Sequence, residues 1–321
     1  MRAVQVAETG GPEVLRLVDV PEPVPGPGEI VVDVAAAGLN FVDTYHRKGL
    51  YRREMPFTLG AEAAGTVAAV GDGVERWAIG DRMVTVAGRG TYAEKAVVAV
   101  GDALAVPDGV DLELAAAAAL QGITAQYLVR STFPLQPGHR LLVHAGAGGV
   151  GGMLIQMAKL IGAEVFTTVS TEGKAEIARE AGADHVILYS DGDFVDAVRD
   201  AAGTDRPLDV VFDGVGRTTF HAGLGLLRAR GTMVLFGQAS GPVEPFDLQE
   251  LNSNGSLYVT RPSLGHYMGD EGPGRAAEVF GWIAAGELDV RIDSRYAMED
   301  AADAHRALEG RRTSGKVLII P

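Results

Sequence analysis

Residues 140–151 read Arg-Leu-Leu-Val-His-Ala-Gly-Ala-Gly-Gly-Val-Gly. Leu141 to His144 is a short apolar run that reads as a strand, and Val150 to Ile161 behind it reads as a helix. Gly146, Gly148 and Gly151 satisfy the spacing G-x-G-x-x-G at the strand-to-helix turn. Each glycine has a mechanical reason there: a tight turn, a close approach of backbone to a pyrophosphate, and close packing of helix on strand. The helix N-terminus then offers free N–H groups and a positive dipole end to phosphate. The context is the one a dinucleotide site requires, although the same glycines could serve a purely structural turn.

The sequence around this turn supports the same reading. Strands at Val165–Val169, His185–Leu188, Asp209–Phe212, Thr232–Phe236 and Leu257–Thr260 alternate with helices at Lys174–Ala181, Phe194–Ala202 and Thr218–Leu227. That rhythm specifies an α/β domain, a doubly wound parallel sheet of the Rossmann type. Upstream, Leu15–Val20, Glu29–Ala37, Gly65–Val70, Asp81–Val86 and Thr91–Val100 read as short strands cut by Gly and Pro. They suggest a small, partly open β-barrel. Leu112–Leu128 is Ala- and Leu-rich and reads as helix. The last segment, with helices near Ala276–Ala285 and Asp300–Glu309 and a strand Lys316–Ile320, does not extend the alternation and is expected to rejoin the barrel. The expected domains are therefore 1–122 with 266–321, and 123–265.

Composition narrows the chemistry. The 321 residues are 47% hydrophobic and 22% charged, which suits a globular chain. Asp and Glu number 42 against 28 Lys and Arg, and the formal net charge of −14 argues against a nucleic-acid partner. With no cysteine, disulfides, cysteine nucleophiles and thiolate metal sites are excluded. No two of the seven histidines lie three or four residues apart, so no metal site is expected. The longest wholly apolar run, Leu114–Leu120, is far short of the roughly 20 residues of a membrane helix, and no apolar signal core opens the chain. The expectation is a cytoplasmic protein without a membrane partner.

The end of the second Rossmann strand selects the dinucleotide. An NAD site usually places an acid there for the ribose hydroxyls. Here Ser170 takes that place and Lys174 follows within reach of a 2′-phosphate, so NADPH is the expected cofactor.

Several segments carry a family resemblance. They are Gly10-Gly11-Pro12-Glu13-Val14-Leu15, Gly38-Leu39-Asn40-Phe41-Val42-Asp43-Thr44-Tyr45, Gly49-Leu50-Tyr51, Leu59-Gly60-Ala61-Glu62-Ala63-Ala64-Gly65, the glycine turn at 147–151, Asp213-Gly214-Val215-Gly216, Gly255 through Pro262, and Ser314-Gly315-Lys316-Val317. Together they resemble the zinc-free quinone oxidoreductases of the zeta-crystallin type, within the medium-chain dehydrogenase/reductase superfamily. The resemblance implies a GroES-like catalytic domain, a Rossmann domain, NADPH as donor and commonly a homodimer. The zinc-dependent branch carries His where this chain has Ala61.

By the same resemblance, Asn40 and Tyr45 are nicotinamide-side residues, and Gln121 and Thr124 belong to a cofactor-contacting helix. Gly146, Gly148, Gly149, Val150 and Gly151 form the phosphate loop, while Ser170, Lys174 and Tyr189 form the adenosine-phosphate pocket. Val215, Phe236, Gly237 and Ser240 line the cofactor further along, and Ser314 and Gly315 close over it.

Quinone reduction by hydride or electron transfer requires donors for a developing oxyanion. Asn40, Tyr45, Tyr51 and Arg261 are the candidates for that catalytic role. The acceptor is expected to be a small quinone. An enone, 2-alkenal or enoyl-thioester reductase would use the same geometry, and a non-catalytic, crystallin-like NADPH-binding protein is the alternative of another class. The apolar strand 255–262 would lie at a sheet edge, an arrangement that invites pairing with its twin in a homodimer.

Overall fold

A computed structural model describes residues 1–190 and 192–321. The chain divides into two units, 1–123 with 270–321, and 124–269.

The first unit opens with β1 (Arg2–Val6), β2 (Leu15–Asp19), β3 (Glu29–Leu39), the helix α1 (Phe41–Arg47), β4 (Phe57–Thr58), β5 (Glu62–Val70), β6 (Arg82–Thr85), β7 (Lys95–Ala99) and β8 (Ala103–Ala105). The helix α2 (Leu112–Tyr127) follows. β1 pairs with β2 on one side and β4 on the other, all antiparallel. β3 is the spine of the barrel sheet. Its first half pairs with β7, its last residues pair with the C-terminal strand, and β5 runs along its length with two register shifts. Those irregularities let one long strand bend across a small barrel. Val4, Leu39, Leu59, Tyr92, Val317 and Ile319 form one core, and Ile30, Val32, Val67, Trp77 and Met83 another.

The second unit holds β9 (Arg140–His144), α3 (Gly149–Ile161), β10 (Glu164–Val169), α4 (Glu172–Glu180), β11 (His185–Leu188), α5 (Phe194–Ala202), β12 (Leu208–Asp213), α6 (Phe220–Leu224), β13 (Leu227–Leu235), α7 (Gln249–Ser253) and β14 (Tyr258–Thr260). The sheet order is β11-β10-β9-β12-β13-β14 and every pairing is parallel. The strand order reverses between β9 and β12, which puts the crevice for a ligand beyond the C-terminal ends of those strands. This is the doubly wound sheet expected from the sequence.

The chain then returns to the first unit through α8 (Gly272–Ala284), β15 (Ile292–Ala297), α9 (Ala301–Glu309) and β16 (Lys316–Ile320). β15 and β16 pair in parallel, with α9 as the crossover that a parallel pair requires.

Several elements differ from the sequence reading, and the short β1, β4, β8 and α7 were unassigned in it. The helix expected over Thr218–Leu227 shrinks to α6, because Gly223 and Gly225 sit in its last turn and β13 starts at Leu227. β13 thus begins five residues earlier than expected, carried through an irregular stretch in which Arg230 has φ of 61°. α1 was unexpected: Asn40, Asp43 and Thr44 are weak helix formers, and the helix rests on capping rather than propensity. β15 was also unassigned, since only its pairing with β16 holds it extended.

The continuous helix over 112–132 is long and apolar enough to cross a membrane, in contrast to the short apolar run read from the sequence. It is mostly buried inside the protein, where its apolar surface has partners.

Candidate active site and cofactor loop

In the second unit, α3 starts with Gly148 at its N-cap and no side-chain cap. Gly152 N–H reaches Gly148 O at 2.9 Å, whereas the N–H groups of Gly149, Val150 and Gly151 have no acceptor among the described residues. Three unpaired amides at a helix N-terminus form an anion cradle. The glycines are dictated by space. A Cβ on Gly146 would lie 2.1 Å from Thr167 Oγ1, and one on Gly151 would lie 2.3 Å from Ala145 O. Ala145 itself carries φ of 60°, a left-handed conformation that costs about 1 kcal/mol for a non-glycine residue and tightens the turn.

Beside the loop, β10 ends at Val169 and Ser170 follows. Val169 pairs with Leu188, and Tyr189 N–H donates to Val169 O at 3.2 Å, so Ser170 and Tyr189 sit at the same sheet end. Thr171 caps α4, accepting from Lys174 N–H at 3.3 Å, which sets Lys174 in the first turn. The acid in that turn, Glu172, is drawn into an ion pair with Arg179 at 2.6 Å. Ser170 and Tyr189 are therefore brought to one sheet end, with Lys174 in the first turn of the helix that follows it.

At the next strand ends, Asp213 Oδ1 accepts from the N–H groups of Val215 (2.7 Å) and Gly216 (3.0 Å). Ser240 N–H and Oγ–H both donate to Val215 O at 2.8 Å, and Phe236 lies against Gly214. The turns carrying Val215, Phe236, Gly237 and Ser240 are thus one knot. His144, buried at the end of β9, has its Nδ1 2.9 Å from Thr168 Oγ1. Burial lowers its pKa and keeps it neutral. Thr124 is buried in α2. Arg261 follows β14 in this second unit, and its Nη1 donates to its neighbour Pro262 O at 3.4 Å. Tyr45, Tyr51 and Asn40 all belong to the first unit.

The centre of the first unit is a buried polar network. Lys316, 2% exposed at the start of β16, donates from Nζ to Glu62 Oε2 at 2.5 Å, Asn40 Oδ1 at 2.9 Å and Gln121 Oε1 at 2.9 Å. Gln121 Nε2 donates to Asn40 Oδ1 at 2.8 Å. Asn40 Nδ2 donates to Glu62 Oε2 at 2.9 Å and Gly38 O at 3.0 Å. The other carboxylate oxygen of Glu62 accepts from Leu120 N–H at 2.7 Å, at the entrance of Gln121 in α2. Burial pulls the Lys316 pKa down while the Glu62 charge holds it up, the balance of a buried ion pair.

This corrects one expectation. Asn40 was read as a donor to the acceptor, but both hydrogens of its carboxamide are engaged inside the protein. Its structural role is to join β3, α2 and β16. Glu62 and Lys316 were absent from the candidate residues. The signal was available in principle: two lone charges inside apolar strand patterns, Glu62 before Ala-Ala-Gly and Lys316 before Val-Leu-Ile-Ile, require partners when buried.

α1 begins beside this network. Asn40 N–H donates to Asp43 Oδ2 at 2.8 Å, and Tyr92 OH donates to the same oxygen at 3.0 Å. Burial raises the Asp43 pKa to about 7, against the pull of those two hydrogen bonds and of Lys316. α1 then presents Tyr45, whose ring meets Tyr51 edge-on at 5.5 Å. Tyr51 N–H donates to Tyr45 O at 3.2 Å, and Tyr51 is 40% exposed. The two phenols expected to serve as donors are therefore neighbours. Ser314 N–H donates to Asp293 Oδ1 at 2.7 Å and Gly315 carries φ of 104°, in the turn that leads Lys316 into the network.

The pattern of the alcohol dehydrogenase GroES-like domain matches residues 26–108, and that of the zinc-binding dehydrogenases matches residues 149–284. The chain is 43% identical to the quinone oxidoreductase of Pseudomonas aeruginosa, over 100% of this chain and 99% of the relative. The chain belongs to the quinone oxidoreductase family. The quinone oxidoreductase of Escherichia coli, solved in complex with NADPH, superimposes with a TM-score of 0.97 at 41% identity, covering 100% of both chains. A 2-haloacrylate reductase from a Burkholderia species is 38% identical over 99% of this chain and 98% of its own. The fold is that of this family, a GroES-like barrel unit and a Rossmann unit.

Zinc does not fit this member. The oxygen donors at Asn40, Glu62 and Gln121 already serve an ammonium, and a dication would meet its positive charge. NADPH does fit: the three unpaired amides suit a pyrophosphate, and the Ser170–Lys174–Tyr189 edge suits a 2′-phosphorylated adenosine.

Proposed function

We propose that this protein is a zinc-independent NADPH:quinone oxidoreductase. The observation that carries the reading is the uncapped α3 N-terminus, with three unpaired amides next to a second strand that is followed by Ser170 rather than an acid, with Lys174 in the first turn of α4. The full-length similarity to quinone oxidoreductases, one of them solved with NADPH, supports it.

The Rossmann region, 123–265, holds the dinucleotide: the amides of Gly149, Val150 and Gly151 take the pyrophosphate, and Ser170, Lys174 and Tyr189 take the adenosine phosphate. Val215, Phe236, Gly237, Ser240, Thr124, Gln121, Ser314 and Gly315 complete the cofactor contacts. When bound, NADPH supplies a hydride. Reduction of a quinone to the hydroquinone takes up that hydride and one proton, and the proton comes from water. The catalytic region, 1–122 with 266–321, presents the phenols of Tyr45 and Tyr51 as neutral donors to the oxygen on which charge develops. Arg261 is a further donor. Asn40 acts through its neighbours, as the joint that fixes the start of α1 and so aims Tyr45. The enzyme is cytoplasmic and works as a homodimer, its β14 edges paired across a two-fold axis.

Oxidation of NADPH at 340 nm with a panel of 1,4-quinones and 2-alkenals tests the reading. Quinone turnover with NADPH strongly preferred over NADH is the expected result. Turnover of alkenals without quinones would make the protein an enone reductase. Tight NADPH binding with no acceptor reduced would leave a binding protein.

A further inference from the structure

The segment between α1 and β4 reads Tyr51-Arg52-Arg53-Glu54. Its start is fixed to α1: Tyr51 N–H donates to Tyr45 O at 3.2 Å, Tyr51 O accepts from His46 Nδ1–H at 3.2 Å, and the Tyr51 ring contacts both residues. Its end is fixed by Phe57 in β4, over whose ring the Arg53 guanidinium sits at 5.3 Å. A second arginine is carried on a turn packed against the same strand, β4. The turn 88–91 is tied down by Gly88 N–H to Ala61 O at 2.8 Å and Gly90 N–H to Gly60 O at 3.0 Å, with Gly90 against Thr58 of β4. Arg89 stands at its tip. Both turns therefore adjoin residues that precede Glu62 or follow Tyr45.

Arg53 is half-buried and Arg89 exposed. Neither makes a hydrogen bond or ion pair among the described residues. This contrasts with Arg47 of α1, which is fully engaged by Glu309, His305 and Gly10. Partial burial and the Arg89 charge both lower the Arg53 pKa, while the Asp43 carboxyl raises it, so the two guanidiniums sense each other and the start of α1. Arg53 in turn lowers the pKa of His46. Two unpaired like charges held together by anchored turns are electrostatically costly in an otherwise acidic protein. An anion between them removes that cost and gains charge-assisted, planar hydrogen bonds. The neighbouring carboxylate, Glu54, is exposed on the same segment and pairs with neither arginine.

We infer that Arg53 and Arg89 form an anion subsite beside Tyr45 and Tyr51, which selects electron acceptors bearing a carboxylate or sulfonate next to the reducible group. The inference rests on the reductase reading above and names its substrate class. The carboxylate stays outside the reaction. The acceptor still takes one hydride and one proton, and the subsite orients it against the phenols.

The test compares 1,4-naphthoquinone with 1,4-naphthoquinone-2-sulfonate on the wild type, Arg53→Gln, Arg89→Gln and the double variant. The ratio of kcat/KM for the sulfonate to that for the neutral quinone should fall about tenfold in each single variant, and Arg53→Lys should retain part of it. Raising the salt concentration should lower the ratio in the wild type and much less in the double variant. Calorimetric binding of the sulfonate is a second readout that needs no turnover. If no acceptor is reduced, the reductase reading fails, yet sulfonate binding weakened in the double variant still upholds the subsite. Unchanged ratios and unchanged sulfonate binding would overturn it. So would a loss of NADPH affinity in the variants in place of the sulfonate effect, since the arginines would then serve the cofactor.

Discussion

Lys316 shows what one buried charge does in this molecule. It is the only cation within hydrogen-bond distance of Glu62 among the described residues, and it also orients Asn40 and Gln121. Lys316→Met strands a carboxylate in the core and should destabilise the protein by about 3–5 kcal/mol, measured by denaturant unfolding. Adding Glu62→Gln should recover a substantial part, because the uncompensated charge is then gone. Lys174 poses a different question at the same scale. Its position in the first turn of α4, with Glu172 paired to Arg179, sets a cation just after the end of β10, where we propose the 2′-phosphate binds. Lys174→Glu should reduce the preference for NADPH over NADH by roughly 10- to 100-fold, the worth of a charge-assisted hydrogen bond. Titration of both nucleotides by fluorescence checks it, and an unchanged preference removes Lys174 from the phosphate site. Lys174 was legible because the motif fixes the register between turn and second strand. Lys316 stood out only as a lone charge in an apolar strand, and its partners were not legible because they lie 195, 254 and 276 residues away in sequence.

Among the elements, those with strong periodicity matched their sequence reading to within a residue or two: β9, α3, β10, β11, α5 and β16. Each is apolar where it faces the sheet or its covering layer, and local pattern and tertiary packing agree. α1 is the counter-example. Its stretch Asn40–Arg47 has little intrinsic helicity, and it forms because Asp43 caps the Asn40 N–H and Arg47 ties the far end to α9. The helix carrying Tyr45 is therefore a product of tertiary contacts. β14 raises the question of assembly. It pairs only with β13 among the described strands, and Tyr258 is 61% exposed. Tyr258→Asp places like charges opposite each other in a two-fold strand pair and should halve the mass seen by light scattering without changing the far-UV circular dichroism. A wild type that is already monomeric would end the dimer proposal.

At the scale of the whole molecule, two buried groups should shape stability against pH. Asp43 is raised by burial from its ordinary 3.8 to about 7. Its stabilising contribution is full below the ordinary value and is lost as pH rises through about 7. His305 is lowered by burial and by Arg47 from 6.5 to about 3. Arg47 Nη1 donates to its Nδ1 at 2.8 Å, so the ring must be neutral. Its contribution is present above 6.5 and is lost as pH falls towards 3. Between about pH 4 and 6.5 the two contributions therefore run in opposite directions and offset each other in the wild-type melting temperature. Asp43→Asn should unmask a rise with pH over that window and His305→Gln a decline; parallel curves for wild type and variants would count against these assignments. The sequence by itself determined the α/β class, the alternation of the Rossmann unit, several of the barrel strands and the glycine turn, and it carried the expectation of NADPH. Those follow from local periodicity and from spacings of a few residues, which the chain carries wherever it folds. Only the tertiary structure decided that Asn40 is locked in a network with Glu62, Gln121 and Lys316, that Tyr51 meets Tyr45 of the capped helix α1, and that Arg53 lies over the Phe57 ring with no ion-pair partner among the described residues. Such relations depend on burial and on contacts between distant segments, and no local pattern encodes what a charge will meet once water has been removed from around it.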